Sequence, residues 1–140
     1  LGLIERYRNP RPRLEVGQRL APFVSAMMDV SDGLLIDARR MAEASGCHAA
    51  IDLDSVPLSA DLLAIGGDRL EAATAGDDYE LLFAAPADAA RRILDLSDQI
   101  GLPLSPIGRF EEGAGLSLTA GGAPVPLPPQ LGFQHAAPPA

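Results

Sequence analysis

The period of the apolar positions changes several times along the chain, and each change predicts an element. Residues 14–20 fit a short helix that closes before Pro22. Residues 23–30 form a largely apolar run of strand length. Leu34, Leu35, Ala38, Met41 and Ala42 then fall at helical spacing, which predicts a helix over 32–44 with Gly46 as its C-terminal stop. Ile51 and Leu53 alternate with Asp52 and Asp54, the period-two pattern of a strand over 49–53. A shorter helix is predicted over 60–65 and broken by Gly66-Gly67, with another helical turn over 70–75. Residues 76–78 read as a turn and 79–84 as a strand. Pro86 opens a helix to about residue 100, with Ala89, Ala90, Ile93 and Leu94 as its core stripe and Gly101 as its end. Strands follow over 104–110 and 116–119, the second joined through Gly121-Gly122 to Val125 as a hairpin. The Pro-rich segment from Pro126 reads as irregular, and 136–140 as a frayed tail.

A strand, a helix and a second strand at this spacing predict a βαβ unit with parallel pairing. The sum is an α/β (α+β) sandwich: a mixed sheet of four or more strands with helices packed on it. The strand count favours a ferredoxin-like arrangement over a doubly wound one. At 140 residues this is one domain with a single core. The chain opens on Leu1 rather than Met, so it reads as a piece of something longer.

Apolar content of 47% and charged content of 21% are those of a globular, soluble chain. No run approaches the ~18 apolar residues that a membrane helix needs, and no leader pattern is visible. These observations predict a cytoplasmic location with no membrane partner. A single cysteine, Cys47, excludes an internal disulfide framework and fits a reducing compartment. The net charge of −8 argues against a nucleic-acid partner, which needs a basic patch. All 11 basic residues are arginines, and Arg6, Arg8, Arg11, Arg13 and Arg19 crowd the start of the chain. The rest is correspondingly acidic, as a site working through divalent cations would be.

Two acidic segments carry candidate chemistry. In Met27-Met28-Asp29-Val30-Ser31-Asp32-Gly33-Leu34 an apolar strand runs into two carboxylates, a hydroxyl and a glycine just ahead of a helix. Asp29 and Ser31 are two apart and point the same way on an extended backbone. Asp32 falls where a helix N-cap sits, and capping alone accounts for such a residue. Capping does not account for Asp29. Three hard oxygen ligands this close suit Mg²⁺ held together with substrate phosphates. The second segment, Ala75-Gly76-Asp77-Asp78-Tyr79-Glu80, places paired acids at a turn before a strand. Taken alone, that is ordinary turn chemistry. If both segments reach one edge, the clustered carboxylates repel one another unless a metal or a cationic substrate, such as a thiazolium or pyrimidinium ring, joins them. His48 and His135 read as surface or satisfied core residues.

In order and spacing, Asp29-Val30-Ser31-Asp32-Gly33-Leu34, the pair Ala49-Ala50-Ile51-Asp52-Leu53 and Val56-Pro57-Leu58-Ser59, and Gly76-Asp77-Asp78-Tyr79-Glu80-Leu81-Leu82-Phe83 resemble the motifs of the thiamine-monophosphate kinase family. Gly132-Phe133-Gln134-His135 resembles that family's closing Gly-Tyr/Phe-Asp-His. The resemblance spans nearly the whole chain but matches the C-terminal half of the family's protein. It implies an ATP-dependent phosphotransferase that converts thiamine phosphate to thiamine diphosphate with Mg²⁺. It also implies the fold of the aminoimidazole ribonucleotide synthetase-like superfamily, which includes selenophosphate synthetase and a hydrogenase maturation protein. On this reading 1–22 is a linker and lead-in helix from an N-terminal ATP-binding domain, 23–135 is the C-terminal kinase domain, and 136–140 is the tail. The implied partners are thiamine phosphate, ATP, that N-terminal domain and a second copy in a homodimer of the complete protein.

Position by position, the resemblance makes Asp29 and Asp32 Mg²⁺ ligands and Ser31 an ATP contact. It makes Asp77 and Gln130 contacts of thiamine phosphate. No catalytic side chain is assigned, because an attacking phosphate oxygen is already ionised. The chain departs from the family at four positions: Asp77 stands for Glu, Ala75 for Gly, Gln130 for an aromatic and Gln134 for Asp. The alternatives are another ATP-dependent member of the superfamily, such as aminoimidazole ribonucleotide synthetase, or a non-catalytic ligand-binding α/β module.

Overall fold

The computed structural model describes residues 13–58, 64, 66, 68–74 and 80–133. Among these, the elements run α1 (Leu14–Leu20), β1 (Ala26–Val30), α2 (Leu34–Ser45), β2 (His48–Asp52), α3 (Arg69–Thr74), β3 (Glu80–Ala84), α4 (Ala90–Ile100), β4 (Gly108–Glu111), β5 (Gly115–Ala120) and β6 (Ala123–Val125). Single 3-10 turns occupy Leu53–Ser55 and Ala87–Ala89. The helix predicted over 60–65, the turn over 76–78 and the tail from residue 134 lie outside the described residues, apart from Ala64.

Four strands form a mixed sheet in the order β4-β2-β5-β6. Its β2–β5 pair is parallel, with Ala49 opposite Leu116 and Ile51 opposite Leu118, and its other pairs are antiparallel. This is the mixed sheet that the sequence predicts. β1 and β3 form a separate antiparallel ladder from Ala26↔Ala84 to Val30↔Glu80. The predicted parallel pairing of β1 with β2 does not occur: the two lie in different sheets, and β4 and β5 occupy both edges of β2. The β1-α2-β2 spacing permits a parallel crossover but does not name the partner, and β1 finds an antiparallel one instead.

Helix α2 joins the two sheets, packing on β1, β2, β5 and α3. Its Leu35, Ile36, Ala38, Met41 and Ala42 are buried against Val30, Ala49, Ile51, Leu116, Leu118 and Leu131, and this is the core. Gly46 ends the helix in the left-handed region at φ 68°, which costs a glycine nothing. Its N–H donates to the Glu43 carbonyl at 3.2 Å and that of Cys47 to the Ala42 carbonyl at 3.0 Å, so two of the last turn's carbonyls are satisfied.

Two further differences have physical causes. β1 begins at Ala26 rather than residue 23, because the chain turns through Pro22 and the Phe23 N–H returns to the Leu20 carbonyl at 2.9 Å. The buried positions are Ala89, in the preceding 3-10 turn, and Leu96 in α4, while Ala90 is exposed and Leu94 is 55% exposed. The stripe runs Ala89, Ile93, Leu96 and Ile100 at helical steps of four, three and four, and Ala90 and Leu94 lie about 100° round from it.

Candidate functional site

The acidic turn grows out of β1. Val30 is buried at the strand's end, and Asp29 and Ser31 on either side of it are exposed, as strand alternation requires. Gly33 follows with φ 136° and ψ 151°, a backbone state that disfavours a side chain, and α2 starts at Leu34. Asp32 does not cap the helix, whose N-terminus carries no side-chain cap. Its carboxylate instead meets Arg40, one turn and a half along α2, with Nη1 2.5 Å from Oδ2.

The organising residue is Asp37, which sequence reasoning missed. It is fully buried, in the apolar stretch between Ile36 and Ala38. One oxygen, Oδ2, accepts the backbone N–H groups of Ser31 at 2.9 Å and Asp32 at 3.1 Å. The other, Oδ1, accepts Arg40 Nη1 at 2.9 Å. The Arg40 guanidinium is held above its ordinary pKa chiefly by the hydrogen bond to Asp32; partial burial opposes this, and Asp37 adds to the rise. Two carboxylates therefore share one cation. The sequence signal was an aspartate in the apolar phase of a helix with an arginine three residues on, an i,i+3 pair.

The C-terminal segment closes on the same turn. Leu131 is buried in the core, and the Phe133 N–H donates to the Asp32 carbonyl at 2.8 Å. A Cβ on Gly132 would stand 2.4 Å from that carbonyl oxygen and 2.5 Å from Ile36 Cγ2, so the close approach requires glycine. Gly132→Ala should accordingly destabilise the protein by about 1–3 kcal/mol through overpacking. Thermal unfolding checks this, and an unchanged Tm would mean that the segment does not dock on Asp32.

The structure places Asp29, Ser31 and Asp32 at one turn and docks Gly132 and Phe133 on the Asp32 carbonyl, while Gln130, two residues before Gly132, is exposed. Asp77 lies outside the described residues; its neighbour Glu80 opens β3 opposite Val30, at the same end of the ladder. Glu80 itself is engaged by Arg13, whose Nε and Nη2 each approach it to 3.2 Å. Among the described residues no group of three or more His, Cys, Asp or Glu side chains is close enough to hold a metal ion. Other acids have local duties. Asp52 accepts from the Asp54 N–H at 3.1 Å and the Ser55 hydroxyl at 2.7 Å, and Asp54 accepts the Gly121 N–H at 2.6 Å. His48 is satisfied on both ring nitrogens, by the Ala114 carbonyl and the Ser117 hydroxyl, each at 2.8 Å. No helix among the described residues is long and apolar enough to cross a membrane.

Residues 6–121 match the family model described as AIR synthase related protein, C-terminal domain. The chain belongs to this family. Within it, thiamine-monophosphate kinase of Caulobacter vibrioides is 36% identical over 141 residues, covering 95% of this chain and 40% of the relative. The crystal structure of thiamine-monophosphate kinase from Stenotrophomonas maltophilia superposes with a TM-score of 0.80 at 40% identity, over 86% of this chain and 39% of that one. A second solved structure, AaThiL complexed with AMPPCP and TMP, has a TM-score of 0.68 at 31% identity, over 89% of this chain and 38% of that one. This AIR synthase-related domain spans about two fifths of the length of the curated relatives it matches. The motif resemblance and the comparisons agree.

Proposed function

We propose that this chain is the C-terminal part of an ATP-dependent kinase that phosphorylates thiamine phosphate to thiamine diphosphate. The observation that carries the reading is the match to a thiamine-monophosphate kinase structure at 40% identity over 86% of the chain. The neighbouring complex with AMPPCP and TMP supports a nucleotide and a phosphorylated acceptor in the same protein. On this reading 1–22 leads in from an N-terminal ATP-binding domain, 23–135 is the kinase's C-terminal domain, and the complete protein is a cytoplasmic homodimer.

Phosphoryl transfer asks a protein for position and charge compensation rather than for covalent chemistry. The acceptor's phosphate oxygen is ionised at neutral pH, so no side chain need remove a proton. That suits a site without an unengaged histidine among the described residues: His48 spends both nitrogens on the β2–β5 region. Ser31 contacts ATP, and Asp77 and Gln130 orient thiamine phosphate. Glu80, the last residue of the second acidic segment, lies opposite Val30 at the end of the β1–β3 ladder, which supports a shared site.

The donors present fit a hard cation. Asp29 offers an exposed carboxylate at the strand's end, and Asp32 offers a second on the same turn, shared with Arg40. Asp29 and Asp32 are therefore the residues that would hold Mg²⁺. When bound, Mg²⁺ neutralises charge on the transferring phosphoryl oxygens.

ADP release with ATP, Mg²⁺ and thiamine phosphate tests the division of labour. The longer protein of which this chain is part should turn over, and the isolated chain should have negligible activity. Robust turnover by the isolated chain would overturn the two-domain arrangement. A longer protein that releases no ADP in response to thiamine phosphate would overturn the proposed activity.

A further inference from the structure

We propose that Asp37 is a positioning residue that fixes the Ser31–Asp32 turn in its binding orientation; the inference rests on the functional reading above. Asp37 is fully buried, and a buried carboxylate is costly unless charge-paired and hydrogen-bonded. It is both: its two oxygens face the amides of Ser31 and Asp32 and the Arg40 guanidinium. A buried ion pair of this kind contributes little net stability compared with apolar packing, so core stability does not by itself account for an aspartate here.

The backbone explains what it does. Gly33 leaves the turn little intrinsic stiffness, so its shape has to be held by other groups. Asp37 holds the amide N–H of Asp32, and the Phe133 N–H holds its carbonyl. Both peptide groups of the candidate ligand are thereby tied, one from the helix and one from the C-terminal segment. Asp37 is sealed from solvent and faces donors on both oxygens, so it acts through the turn and touches neither nucleotide nor acceptor.

The test uses the complete protein and Asp37→Asn, which keeps the shape but sets an amide against three donors. Affinity for Mg²⁺ with AMPPCP is measured by calorimetry, KM for thiamine phosphate by turnover, and backbone exchange by mass spectrometry on peptides covering 29–35. Affinity for Mg²⁺–AMPPCP should fall about tenfold or more, the scale of a lost hydrogen bond to a charged group. KM for thiamine phosphate should stay within a factor of about 2, and exchange should rise in 29–35 but not at Met41–Ala42. Unchanged affinity in a folded variant overturns the inference, as does exchange that rises uniformly with affinity intact. If Asp37→Asn does not fold, Asp37→Glu decides by the same criteria, since it keeps a carboxylate for Arg40 but moves the oxygens off the Ser31 and Asp32 amides. A wild type that binds Mg²⁺–AMPPCP without turning over thiamine phosphate refutes the proposed acceptor while the affinity comparison still decides Asp37. A wild type that does not bind Mg²⁺–AMPPCP refutes both.

Discussion

Asp29→Asn in the complete protein should lower kcat by roughly 100-fold and raise the Mg²⁺ concentration needed for half-maximal rate, with Tm almost unchanged. The side chain is exposed, and the residue's part in the ladder opposite Leu81 is made by backbone groups that the substitution keeps. Surface changes of this kind usually move stability by no more than about 0.5 kcal/mol. Removing a carboxylate that holds a charge-neutralising cation costs several kcal/mol in the transition state, and ~2.7 kcal/mol already gives that 100-fold. Steady-state kinetics over a Mg²⁺ series, beside a thermal melt, separates the two effects. A variant that unfolds while keeping normal metal dependence would make Asp29 a structural residue. Asp32→Asn is less diagnostic, because it also breaks the pair with Arg40.

Asp77→Ala should raise KM for thiamine phosphate by roughly 10- to 150-fold, the range for a lost hydrogen bond to a charged group. KM for ATP should stay within a factor of about 2. The motivation is the glycine-acid-acid sequence of 76–78 and its connection to Glu80, which lies opposite Val30 beside the acidic turn. Asp77→Glu, the residue that the family pattern carries, should preserve or lower that KM. Equal rises in both KM values would make Asp77 a ligand common to both substrates. No change in either would leave it a turn residue.

Helix α2 was legible because five of its core residues repeat at helical spacing and a glycine marks its end. β5 and β6 were legible because Gly121-Gly122 divides two short strands. Strand partners were not, since period two gives a strand its faces but not its neighbours; β1 and β2 therefore looked like a pair and lie in separate sheets. The phase of α4 was not legible either, because Ile93 and Leu94 are adjacent apolar residues and only packing selects Ile93 with Leu96 over Ala90 with Leu94. At the site, Asp29, Ser31 and Asp32 stood out because acids interrupt an apolar strand. Asp37 did not, because an aspartate within a helix reads as solvated until its partners are known. Besides Arg40, its partners are two main-chain amides, which no residue type announces. Gly132 was visible as part of a closing motif, but its docking on Asp32 joins segments far apart in the chain and follows from the tertiary fold alone.

The most direct measurement is the fate of the γ-phosphoryl group. The complete protein is incubated with γ-labelled ATP, Mg²⁺ and thiamine phosphate, and the products are separated. The account predicts label in thiamine diphosphate in equal amount to the ADP formed. ADP formed without labelled thiamine diphosphate, or label carried by a different acceptor, would contradict it.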